Sequence, residues 1–140
     1  MSLVGPRPNV QRETDLYTSE ERRLLDVKPG ITDLASIVFS DEGEILKDKS
    51  DPDLAYNQLI RPWKSRLGLV YVDNRSTILD FKLVYFTLVA LVSREKGLAG
   101  VLAILDHLDA GPQLKRIARR QEELFPYPPP GASEIVVSRV

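Results

Sequence analysis

Apolar residues in this chain fall into runs of uneven length, and the breaks between them coincide with proline, glycine and short polar triplets. Thr18 followed three residues later by Glu21 fits a capping box, so residues 19–25 read as a short charged helix that must end before Pro29 and Gly30. The β-branched stretch ITDLASIVF, residues 31–39, predicts a short strand or extended segment. Residues 40–53 are rich in Asp and Glu and read mainly as a surface connection. Asp51 can cap a helix with Pro52 at its first position, running to about Ile60. Pro62 then forces a break or a new start, with a second piece over 63–72 weakened by Gly68.

The strongest signal follows. Thr77, three residues ahead of Asp80, can cap a helix over 77–95 that is apolar on nearly every side. Gly97 separates it from a weaker helix over 98–108, in which Val101, Ile104, Leu105 and Leu108 share a face. Gly111 and Pro112 open a polar helix over 113–125, and PYPPPG ends regular structure. The predicted fold is mostly α: short helices and irregular loops, at most one or two short strands, and one long apolar helix at about 77–95.

Composition narrows the chemistry. The 140 residues, 43% hydrophobic and 28% charged, suit one ordinary domain and exclude collagen-like or wholly disordered readings. Nineteen basic against twenty acidic residues give a formal charge of -1, so no global field favours nucleic acid, and no nucleic-acid partner is expected. Without cysteine, and with His107 alone, thiol nucleophiles, thiolate metal sites and two-histidine sites are excluded. The longest uncharged apolar stretch, 83–93, is short of the roughly 20 residues of a membrane-crossing helix.

Two blocks go further: MSLVGPRP at residues 1–8, and VKPGIT at 27–32 preceded by EERRLL. Together with YVDNRSTILDFKL, residues 71–83, they resemble the bacterial sugar transferases, and more closely the C-terminal part of the monotopic phosphoglycosyl transferases. The resemblance covers about residues 1–95, so the chain divides into that part, a helical extension over 96–125, and a Pro-rich tail over 126–140 expected to be flexible. It implies an enzyme that moves a sugar-1-phosphate from a nucleotide diphosphate sugar to polyprenyl (undecaprenyl) phosphate in exopolysaccharide, O-antigen or capsule assembly. It also implies magnesium, with ligands mainly outside this chain, and action at the cytoplasmic face of the bacterial inner membrane. Met1 matches a methionine that is internal in full-length members. The family's membrane hairpin and catalytic Asp-Glu pair are accordingly expected upstream of Met1, and this chain by itself is expected to be inactive. The sequence departs from many members at DLASIV after Thr32, and at Gly68, where they carry an aspartate.

Arg7 is the foremost phosphate-binding candidate, because a guanidinium grips phosphate oxygens through two parallel hydrogen bonds and Pro6 and Pro8 stiffen its backbone. A rigid turn whose arginine pairs with a surface carboxylate is the competing reading. Lys28 is the second candidate, aimed by Pro29 and Gly30, although a solvated lysine at the end of a helix explains it equally well; Gly5, Pro6 and Pro8 support the first turn. Asp33 and Asp80 are candidate second-shell or magnesium-facing carboxylates, but a plain structural role is favoured for both, with Asp80 explained by capping in a helix's first turn; Asp48, Asp51 and Asp53 lack the rest of a calcium loop. Trp63, Tyr71, Tyr85 and Phe86 are expected in the core, or else in a membrane-facing belt. Lys115, Arg116, Arg119 and Arg120 read as a solvated helix face, and His107 as a surface imidazole. An apolar helix with few mates needs cover from the upstream half of the enzyme, from a second copy in a homo-oligomer, or from the membrane surface. That need sustains an alternative function: a truncated, non-catalytic module that docks to a transferase or to the membrane.

Overall fold

A computed structural model describes residues 2–6 and 17–136, so that Met1, Arg7 and Pro8 of the first sequence block fall outside the described residues. Helices dominate, as expected. Strand β1 (Ser2–Val4) pairs in parallel with β2 (Gly30–Thr32), with Ser2 opposite Gly30 and Val4 opposite Thr32. Between them lies the 3₁₀ helix Glu21–Asp26, whose start is the predicted capping box: the Glu21 amide donates to the Thr18 hydroxyl and the Thr18 amide donates to the Glu21 carboxylate, both at 3.1 Å.

After β2 the extended segment predicted over 31–39 stops at Thr32 and gives way to helix α1 (Leu34–Val38). Asp33 decides this against the β-branched residues: its carboxylate accepts from the Ser36 amide at 2.9 Å and the Ser36 hydroxyl at 2.8 Å, which starts a helix. The connection over 40–53 also contains a helical turn, α2 (Glu42–Leu46), with no buried residue. Asp51 caps α3 (Pro52–Ala55) as predicted, through the Leu54 amide. A π-helical turn, Tyr56–Ile60, then leads into α4 (Arg61–Asp73), so the fresh start at Pro62 costs a widened turn rather than a loop. Gly68 is no weak point. A β-carbon there would lie 2.6 Å from Leu24 Cδ2, so the glycine lets the 3₁₀ helix press onto α4.

The single long apolar helix predicted over 77–95 is not found. Helix α5 (Thr77–Val92) is capped by Ser76 rather than Thr77, and stops at Ser93, where φ -146° and ψ 107° break the helix. Helix α6 (Arg94–His107) starts at once, with the Ser93 hydroxyl accepting from the Lys96 amide. The physical reason is tertiary: α6 folds back along α5. Gly97, expected as a separator, lies inside α6, where a β-carbon would stand 2.5 Å from Ala90 Cβ, and one on Gly100 would stand 2.2 Å from the Phe86 ring. Among the described residues no helix is long and apolar enough to cross a membrane. The helix predicted over 113–125 is shorter, α7 (Pro112–Ala118), and ends before Arg120, whose φ of 54° is left-handed.

Leu34, Val38, Ile60, Trp63, Leu67, Leu83, Val101 and Leu105 form the centre of the core, contributed by α1, the π-helical turn, α4, α5 and α6. Tyr71 is buried as expected and Phe86 is partly buried, but Tyr85 is 62% exposed, a correction to its core placement. Arg120 also leaves the predicted basic face: its guanidinium reaches the Asp41 carboxylate at 2.7 and 3.1 Å and the Val38 carbonyl at 3.0 Å.

Candidate functional site

Residues 5–6 and 28–30 meet back to back. The Gly5 amide donates to the Thr32 carbonyl and the Gly30 amide to the Pro6 carbonyl, each at 3.0 Å. A β-carbon on Gly5 would lie 2.5 Å from the Lys28 carbonyl oxygen, and one on Gly30 would lie 2.2 Å from the Gly5 nitrogen. These obstacles are backbone atoms that cannot swing away, so glycine is required on both sides of the junction. Four predicted residues, Gly5, Pro6, Pro29 and Gly30, are thereby brought together. Arg7, Pro8 and Met1 lie outside the described residues.

The third sequence block joins the same place. The hydroxyls of Thr32 and Thr87 share a hydrogen bond at 2.7 Å, tying β2 to α5. Tyr71 donates its hydroxyl to Asp80 at 2.7 Å. Burial, then the Asp80 hydrogen bond and charge, push the Tyr71 phenol well above its ordinary range, so it stays a neutral donor. Asp80 therefore lies in the first turn of α5 with a defined partner, while Asp33 serves as the cap of α1. Lys28 is exposed and lines an open polar hollow with Asp26, Tyr71, Arg75, Ser76 and Asp80. Asp73 also lines it, so its two cations, Lys28 and Arg75, stand among three carboxylates.

On the Pro6–Pro29 side a second cavity, of about 170 Å³, is bounded by Tyr17, Asp33, Tyr56, Asn57 and Arg61. Its floor is a buried ionic cluster that the sequence reading missed. Glu21 is fully buried and accepts from Arg61 Nε at 2.9 Å, Arg61 Nη2 at 2.6 Å and the Ser65 hydroxyl at 2.6 Å. Arg61 also donates to Asn57 Oδ1 at 3.3 Å, and its guanidinium lies 5.9 Å from the centre of the Tyr17 ring. Such a fork-to-fork pair is held by geometry as well as charge. The available signal was an arginine beside proline at the start of a helix, four residues before Ser65. Among the described residues no group of three carboxylate or imidazole ligands converges.

Against known proteins, the family model described as bacterial sugar transferase matches residues 1–94. A Bacillus subtilis (strain 168) protein described as an uncharacterized sugar transferase, EpsL, is 37% identical over 87 residues. That match covers 62% of this chain but 35% of the relative, so the chain spans about a third of the relative's length. No solved structure matches.

Proposed function

This chain belongs to the bacterial sugar transferase family, and from that premise we propose that it forms part of a phosphoglycosyl transferase. The reaction would move a sugar-1-phosphate from a nucleotide diphosphate sugar to polyprenyl phosphate, in exopolysaccharide, O-antigen or capsule assembly. The observation that supports this reading is the Gly5–Gly30 junction, which brings Gly5 and Pro6 of the first block into contact with Lys28, Pro29 and Gly30 of the second. Such a transfer needs the diphosphate charge neutralised and held in line. Arg7, two residues beyond Gly5, would supply the planar fork, and Lys28 a point charge from the adjoining hollow. The nucleophile and its acid partner would come from a segment preceding Met1 in the full-length enzyme, and the ligands of magnesium mainly from the same parts. That enzyme would work at the cytoplasmic face of the inner membrane.

The test is kcat/KM of the full-length enzyme carrying Arg7→Ala or Arg7→Lys, with the fold checked by circular dichroism. Alanine should lower it about 30-fold to 1000-fold and lysine should recover only part, since a shielded charge-assisted contact is lost. Near-wild-type activity in the alanine variant would return residues 5–8 to the status of a structural turn. The 140-residue chain alone should release no nucleoside monophosphate from a nucleotide sugar with polyprenyl phosphate present.

A second reading has its own observation. Ile78, Phe81, Tyr85, Leu88, Leu91 and Val92 are all exposed on α5, a face of the kind used for docking. In this reading the chain is a non-catalytic module that binds a transferase, a second copy or the membrane surface through that face. Restoration of activity on adding the chain to an enzyme lacking this part would favour the first reading. Stable binding without any effect on turnover would favour the second.

A further inference from the structure

Beyond the family-matched residues 1–94, the chain returns to the site by a route that its helices do not explain. Residues 125–131, FPYPPPG, cross the face of α4 that carries the chain's single tryptophan. The Tyr127 ring lies 4.6 Å from the Trp63 ring and the Phe125 ring 5.9 Å from it, edge-on. Arg66 closes the stack, 5.4 Å from the Trp63 ring centre and 4.9 Å from that of Tyr127, and donates to the Pro128 carbonyl at 2.9 Å. Main-chain ties fix the register: the Tyr127 amide donates to the Gln58 carbonyl at 3.1 Å, and the Gln58 side chain donates to the Val136 carbonyl at 2.9 Å. Trp63 is left 1% exposed.

The far end of this segment touches the candidate site. The Thr18 hydroxyl, which caps the 3₁₀ helix, also donates to the Pro130 carbonyl. Gly131 has a left-handed φ of 87°, and a β-carbon there would lie 2.8 Å from Glu20 Cβ and 3.0 Å from the Thr18 hydroxyl. Glu21, next in sequence, holds Arg61 under the cavity.

We propose that residues 125–136 are a strap, docked in cis in the Trp63–Arg66 groove, that sets the position of Thr18 and Glu21 and so of the Arg61 wall of the cavity. Proline-rich segments suit the role because their restricted φ lowers the entropy lost on docking, and aromatic grooves accept them. The inference does not depend on the transferase reading: it assigns the extension a mechanical part in the site whatever the ligand.

The single tryptophan makes the test direct, on the full chain. Tyr127→Ala removes the stacking ring, while Gly131→Ala leaves every aromatic in place but pushes on Glu20. In Tyr127→Ala, Trp63 emission should shift to the red with stronger acrylamide quenching. In both variants, amides of Glu21–Asp26 should exchange about tenfold faster while those of Thr77–His107 keep their protection. Unchanged Trp63 fluorescence in Tyr127→Ala would show that the groove is closed without the strap. Exposure of Trp63 with unchanged exchange at 21–26 would reduce the segment to a cover. Faster exchange in all helices alike would make it a contributor to overall stability only, and would equally overturn a positioning role.

Discussion

Glu21 and Phe81 occupy each other's expected places. The carboxylate is fully buried against α4, while the aromatic ring on α5 is 72% exposed. At the first position the charge has a bidentate arginine, a serine hydroxyl and a backbone amide, so its desolvation is offset by partners with fixed geometry. At the second, apolar surface stays in water because α6 covers only the side of α5 that meets Gly97 and Gly100. At these two positions burial follows completeness of partners rather than hydropathy. The charged cluster is finished within the chain; the apolar face is not.

Breaking the finished region should have the largest effect. Arg61→Ala leaves Glu21 buried without its cation and should cost about 3–5 kcal/mol in urea unfolding. The double variant Glu21→Leu with Arg61→Met should cost less than Arg61→Ala alone. If the double is the worse, the pair contributes more than mutual compensation. Gly30→Ala comes next, at about 3 kcal/mol, because the added carbon meets backbone. Gly43→Ala is its control: nothing lies within 4 Å of that position, and alanine in α2 should stabilise by up to about 1 kcal/mol.

Asp41 stands between the two extremes. Partial burial pushes its carboxyl up, but the Arg120 hydrogen bond and the charges of Arg120 and Arg94 outweigh this and hold it below the usual carboxylate range. Because the folded-state value is depressed, the stabilisation is present above the unfolded value of about 3.9 and is lost as pH falls through the folded value. Asp41→Asn should therefore lose about 1 kcal/mol or less at pH 7, with the gap from wild type closing only below about pH 4. A gap that widened on acidification would reverse the sign of this argument.

Smallest in stability, and most telling for the open region, is the double variant Phe81→Ser with Leu88→Ser. It should change unfolding free energy by less than about 0.5 kcal/mol, as exposed positions do. It should also reduce any self-association or liposome co-flotation measured for the wild type. Loss of fold in this variant would mean that the face is core, and the comparison would collapse.

The parts of this architecture legible in sequence are the local ones. The Thr18–Glu21 box and the Asp51–Pro52 start need only residues three apart or adjacent, and both stand as predicted. Glu21 was legible as a cap yet not as the partner of Arg61, forty positions away, because one carboxylate serves both ends of that span. Asp33 and Ser36 carried a helix start that Ile37, Val38 and Phe39 masked with β propensity. The Gly5 and Gly30 turns were each legible, but their contact is set by a parallel register that no local pattern encodes. Gly97 looked like an interruption because its purpose lies in a side chain of another helix, Ala90.

Ser93 ends one helix and starts the next with a single residue. Were that position helical, α5 and α6 would fuse into a rod from Thr77 to His107 of roughly 45 Å, at 1.5 Å per residue. A bilayer's hydrocarbon core is about 30 Å thick. Length alone would suffice, but Arg94, Glu95 and Lys96 would stand inside that rod, and the turn at Ser93 instead sets these three charges in the first turn of α6.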